Sequence, residues 1–78
     1  MHYVYILQNG NGRCYVGYSH DLKRRLSEHQ FGNVSTTKVF KNAKLAWYCA
    51  FASKRKALGF EKYLKEGSGH AFARKRLI

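Results

Sequence analysis

Proline is absent from this 78-residue chain, and acids are nearly so: four Asp and Glu stand against fifteen Lys and Arg. Without Pro-rich, Ser-rich or repetitive stretches, nothing marks a linker, an internal repeat or a low-complexity segment. Cysteine is sparse as well. Cys14 and Cys49 each lie in a strand-like run, with no C-x-x-C and no Cys/His spacing, which argues against a zinc site and for reduced core thiols. The histidines His2, His20, His29 and His70 are scattered and suggest no metal cage. No apolar run approaches the ~18 residues of a membrane span. Met1-His2-Tyr3 leads straight into a strand pattern, so neither a signal peptide nor a membrane segment is expected.

What is present is aromatic and basic. Six Tyr, five Phe and one Trp within a 45% hydrophobic composition are enough for a core. The length suits one domain spanning 1–78, burying roughly 60–65% of its unfolded surface. The net charge of +11 is spread from Arg13 to Arg76. A field of that sign favours phosphate polyanions.

Residues 2–8 and 13–18 are rich in β-branched and aromatic types and flank Asn9-Gly10-Asn11-Gly12, a hairpin signal. A three-residue loop, Gly10 to Gly12 with Gly12 left-handed, sets Gly17 opposite Tyr5 and Leu7 opposite Tyr15. Both tyrosines then share a face, with open space over the Tyr5 ring, whereas a strict two- or four-residue loop would split them between faces unless a bulge intervened. Asp21 caps a helix over roughly 22–30, and Arg24 and Glu28 form an outward pair. Residues 32–43 make a polar, basic connection, and 44–51 read as a third strand. Ser53 caps a helix over 54–65, in which Gly59 costs about 1 kcal/mol against Ala and implies a packing reason. Ser68 begins a last short helix over about 69–76. The expected fold is α+β: a small three-stranded antiparallel sheet flanked by helices, in the order β-β-α-β-α-α.

Each long helix carries a polar interruption on its apolar face. Leu22, Arg25, Leu26 and His29 share one side of the first; Ala57, Phe60, Glu61 and Leu64 share one side of the second. An ionised group aimed at a core is costly unless paired, hydrated or ligated. Two of them in so short a chain point to a polar pocket between helices and sheet. Asp21 is used as a cap, Glu28 points outward and Glu66 lies at a helix end, which leaves Glu61 as the inward carboxylate.

Tyr3-Val4-Tyr5, Tyr15-Val16-Gly17 ten residues on, Arg25 ten residues after Tyr15, then His29 and Glu61 together resemble the GIY-YIG nuclease domain. The likeness covers essentially the whole chain and is nearest to the small stand-alone bacterial members. It implies a divalent-metal-dependent endonuclease that hydrolyses DNA phosphodiester bonds, structure-selective or repair-related, with low sequence specificity. It makes Tyr5 the general base on the attacking water, Tyr15 its hydrogen-bonding partner, Arg25 the contact to the scissile phosphate, and His29 a support for either. Glu61 would bind one Mg²⁺ or Mn²⁺, weakly without DNA, since one carboxylate makes a poor site alone. Lys38, Lys41, Ser68, Arg74, Lys75 and Arg76 are candidate nucleic-acid contacts. DNA is the expected partner ahead of RNA, with targeting left to DNA structure or a protein partner, in a bacterial cytosol or nucleoid, as monomer or weak dimer.

One departure stands out. Many members carry an Asn downstream of the glutamate, and here none follows Asn42; Gly67-Ser68-Gly69-His70 stands in its place. Successive N–H groups there could hold a phosphate. The alternative reading is a non-catalytic nucleic-acid-binding module that keeps the fold.

Overall fold

The computed structural model describes residues 1–10, 13–30 and 44–78, with backbone only for 28–30. The elements run β1 (His2–Gln8), β2 (Cys14–Ser19), α1 (Leu22–Gln30), β3 (Lys44–Phe51), α2 (Lys54–Lys65) and α3 (Gly67–Arg76). Both strand pairings are antiparallel, and the sheet order is β2-β1-β3. The α+β order expected from the sequence is therefore the one found.

The hairpin register is also as expected. Tyr5 pairs with Gly17 and Leu7 with Tyr15, and the Asn9 N–H donates to the Arg13 carbonyl at 3.1 Å. The side chain of Asn9 accepts from the Arg13 N–H at 3.0 Å, closing the mouth of the loop. The conformation of Gly12 lies outside the described residues. On the other side of β1 the register shifts between Ile6 and Leu7, which pair with Trp47 and Leu45. Ala46 is thus the extra residue of a bulge, which brings Leu45 onto the tyrosine face.

Alternation along the strands gives the sheet two unlike faces. Val4, Ile6 and Val16 form the core with Ala57, Leu64 and Ala73, and Trp47, Cys49, Phe51 and Phe60 pack around them. The opposite face carries Tyr3, Tyr5, Leu7, Tyr15, Gly17 and Tyr48. Tyr5 and Leu7 are buried too, so β1 is covered on both sides, as its run of four buried residues shows.

Helix ends follow the caps. The Asp21 carboxylate accepts from the Arg24 N–H at 3.1 Å, and Ser53 Oγ accepts from the Lys56 N–H at 3.3 Å. Glu66 alone separates α2 from α3, with extended backbone, φ −87° and ψ 162°. The third helix therefore starts at Gly67, earlier than Ser68 suggested. The single extended residue folds α3 back onto α2, and Gly69 is the point of contact. A Cβ there would overlap the Tyr63 carbonyl, so Gly69 permits a close helix crossing. That contact accounts for one glycine of the Gly67–His70 segment without any phosphate. Gly59 shows the reverse: it is exposed, nothing lies within 4 Å of its missing Cβ, and the expected packing reason is not found.

Candidate active site

The site grows from β2, an edge strand that ends where α1 begins. Gly17 sits beside Tyr5 on the tyrosine face, and a Cβ on Gly17 would overlap Tyr5 Cζ and Oη. Only glycine lets the phenol lie across β2. The Tyr5 and Tyr15 rings stand 6.4 Å apart at 42°. Tyr5 is 1% exposed, while Tyr15 is half-buried. The expected tyrosine pair is thus formed, but with one ring held in protein rather than in an open hollow.

The corner between β2 and α1 is built by Ser19, a buried residue. Its hydroxyl donates to the Asp21 carbonyl at 2.8 Å and accepts the Asp21 N–H at 3.0 Å, a local turn that sets the start of the helix. Ser19, His20, Asp21, Arg24 and Arg25 line a pocket of about 200 Å³ at this corner. Arg25 is half-buried with Leu22 and Leu26 on the inward side of α1, whereas Lys23, Arg24 and Ser27 are exposed. The inward placement of Arg25 agrees with its spacing. The His29 side chain, and Lys38 and Lys41, lie outside the described residues. Sequence reasoning missed His20 and Arg24 as pocket neighbours of Arg25; the Ser19-His20-Asp21 turn was the available signal.

Glu61 is part-buried beside the core-facing residues of α2. Ala57 and Leu64 are fully buried and define the direction in which α2 meets the core. At about 100° per residue, Phe60 falls to one side of that direction and Glu61 to the other. Phe60 lies 5.9 Å from Trp47 and 5.7 Å from Phe51, ring to ring, both on β3. Glu61 therefore occupies the flank of α2 opposite Phe60. Its side chain is 20% exposed and pairs with Lys65 at 3.3 Å, a solvent-touching i,i+4 pair of small energetic weight. It stands on the α2 side of the sheet, and the two phenols stand on the other. The Tyr5 phenol lies over Gly17 of β2, and α2 packs against β2 from the opposite face.

The remaining aromatic residues divide between the faces. Tyr18 turns to the α2 side, where its hydroxyl hydrogen-bonds His2 Nδ1 at 2.8 Å. Tyr3 tilts against Tyr48 at 6.4 Å. Cys49 is a half-buried free thiol, pushed above its ordinary pKa by burial and only partly offset by a hydrogen bond with the Val4 backbone. Among the described residues, no group of three His, Cys, Asp or Glu could hold a metal ion, and no helix is long and apolar enough to cross a membrane. Ser68, Arg74, Lys75 and Arg76 all lie on α3 and are exposed; Arg74 Nε donates to His70 Nε2 at 3.1 Å.

A tyrosine-faced three-stranded sheet, with an arginine on the next helix and a carboxylate on the later one, is the plan of a nuclease-type domain. The chain belongs to the GIY-YIG family: its residues 1–75 match the GIY-YIG catalytic domain. More narrowly, it is similar to small proteins called UPF0213. It is 35% identical over 65 residues to one from Bacillus pumilus, covering 82% of this chain and 66% of that protein. It is 36% identical over 70 residues to another from Streptococcus agalactiae, covering 88% and 80%. The chain thus spans slightly under two thirds of the length of the Bacillus pumilus relative. The solution NMR structure of a UPF0213 protein from Bacillus halodurans superposes with a TM-score of 0.59 at 28% identity, covering 97% of this chain and 85% of that one.

Proposed function

We propose that this domain is an endonuclease for DNA phosphodiester bonds whose reacting phosphate lies along the β2 edge. The observation that carries the reading is Gly17: its missing side chain is the only reason the Tyr5 phenol can lie over an edge strand. A strand packed solely for stability gains from a Cβ there, since glycine weakens a strand interior.

In this reading Arg25, permanently charged and forked, binds the scissile phosphate from the corner pocket and offsets its growing charge. Tyr5 is the base for the attacking water, and Tyr15, the more accessible phenol, orients that water. The backbone around Ser19 fixes the start of α1 and hence the approach of Arg25. Glu61 would hold a divalent cation, Mg²⁺ or Mn²⁺, which supplies charge stabilisation to the phosphate and the leaving oxygen. The donor set fits a hydrated ion shared with substrate and does not fit a tightly held resident one, because the protein offers one carboxylate. Lys65, which pairs with that carboxylate at 3.3 Å, would compete with such a cation.

Binding is then mainly electrostatic, with a log–log salt slope steepened by about 0.9 for each phosphate neutralised. Lys75 and Arg76 on α3, with Lys38 and Lys41, are the phosphate contacts proposed. In this reading selectivity rests on DNA structure or a partner, and repair is the fitting setting.

The test is cleavage of nicked, flapped and branched DNA with Mg²⁺ or Mn²⁺, by the parent and by Glu61→Ala and Arg25→Ala. Chelator-sensitive products, lost in both variants while DNA binding persists, support the assignment. A Glu61→Ala protein that cuts as fast as the parent removes the metal role. A second reading, a binding module without catalysis, is favoured by the deep burial of Tyr5 and the Lys65 pairing of Glu61. Binding without products on every substrate selects it.

A further inference from the structure

The flank of α2 facing away from Glu61 carries a feature that phosphodiester cleavage does not use. Phe60 lies near-parallel to Tyr63, at 28° and 6.1 Å, and Tyr63 meets Phe72 of α3 at 6.2 Å and 53°. The series leads from the core outward, and its last two rings are each 40% exposed. Tyr63 follows Gly59 by one helical turn, and a helical side chain leans back over the turn before it. Gly59 has no side chain to cover that ring and only open space beside it. This supplies a reason for a mid-helix glycine that packing within the chain does not give.

The rim decides what fits there. Lys56 and Lys62 adjoin Gly59 and Tyr63 on α2, and Lys75 and Arg76 follow Phe72 on α3; all four are exposed. Two acids lie within a turn of Tyr63, Glu66 and Glu61; Glu61 faces the opposite flank of α2 and is paired with Lys65. A second copy of a chain with net charge +11 would bring like charges together across the contact. A polyanion with flat apolar faces suits the rim and the rings at once. In duplex DNA those faces are hidden in the base stack; in a single strand they are free.

We propose that Tyr63 and Phe72, bordered by Lys62 and Lys75, form a stacking site for unpaired bases of a single-stranded nucleic acid. The inference rests on the nucleic-acid reading above and adds where an unpaired strand is gripped: behind α2, on the β3 side, away from the β2 edge. It gives the domain a physical preference for flaps, gaps or splayed ends over continuous duplex.

Fluorescence anisotropy, in chelator to prevent cleavage, reads this with a labelled 12-nucleotide single strand and the blunt duplex of the same sequence. The doubly substituted Tyr63→Ala/Phe72→Ala protein should lose single-strand affinity by about tenfold or more, within the range of base–aromatic stacking. Its duplex affinity should change less than twofold. Gly59→Leu is a second probe, because it fills the open space while favouring helix. It should weaken single-strand binding at an unchanged or raised melting temperature. Equal losses on both DNAs, or unchanged single-strand affinity in a folded Gly59→Leu protein, overturn the stacking site. A parent that binds neither DNA overturns the nucleic-acid reading itself; a parent that binds both, with no effect of Tyr63 or Gly59, leaves that reading standing and removes only this one.

Discussion

Replacing Gly17 by Ala is the sharpest perturbation the fold offers, because two opposing terms have separable sizes. Glycine inside a strand costs roughly 0.5–1 kcal/mol against alanine, so in an ordinary strand the change should stabilise. Here the new Cβ would overlap Tyr5 Cζ and Oη, and Tyr5 is 1% exposed, so the ring cannot simply turn out to solvent. Overpacking of this kind costs typically about 1–3 kcal/mol, which outweighs the propensity gain. For a domain of this size each kcal/mol moves the melting temperature by about 4–8 °C, so Gly17→Ala should melt several degrees to about 20 °C lower. The assay is thermal unfolding followed by circular dichroism, run as a cycle with Tyr5→Ala. In that background Gly17→Ala should become neutral or stabilising, with a coupling energy of about 1–3 kcal/mol. At temperatures where the single variant remains folded, cleavage should fall more than tenfold, because the phenol has moved. A melting temperature that rises, or a cycle with no coupling, refutes the idea that Gly17 exists to seat Tyr5.

Gly69→Ala should be at least as damaging, about 3 kcal/mol by denaturant unfolding, since its Cβ meets the Tyr63 backbone carbonyl and backbone cannot rotate away. An unchanged unfolding midpoint would falsify the close crossing of α2 and α3. Lys65→Gln removes the cation 3.3 Å from Glu61 and should lower the Mg²⁺ concentration needed for half-maximal cleavage by a few-fold, with stability altered by under about 0.5 kcal/mol. Cys49 has a raised pKa, so less thiolate is present near pH 8 and iodoacetamide should alkylate it more slowly than an unburied cysteine. The rate should keep climbing with pH beyond the point where an ordinary thiol levels off, as mass spectrometry of a pH series would show.

Much of this fold is written in short-range signals. The glycine-rich turn after Gln8 and the need to seat Tyr5 and Tyr15 together fixed the hairpin register. Asp21 and Ser53 marked helix starts through side chains that reach only a few residues. Spacing alone put Arg25 inward with Leu22 and Leu26, because one helix meets one surface. Glu61 shares the spacing of Leu64, yet spacing cannot say how far from the centre of that contact a residue falls; Phe60 docking on Trp47 and Phe51 turned α2 and moved Glu61 to its flank.

The amino-acid order by itself determined the elements, their sequence, the tyrosine register and the basic field, since each follows from contacts or charges local in the chain. Tertiary structure alone decided that Glu66 hinges two helices, that Gly69 is a crossing point, that Gly59 faces open space and that Glu61 lies on the flank of α2 opposite Phe60. Those facts depend on the angle at which α2 lies on the sheet and α3 lies on α2. That angle is set by the shapes of side chains far apart in sequence, which no local period records.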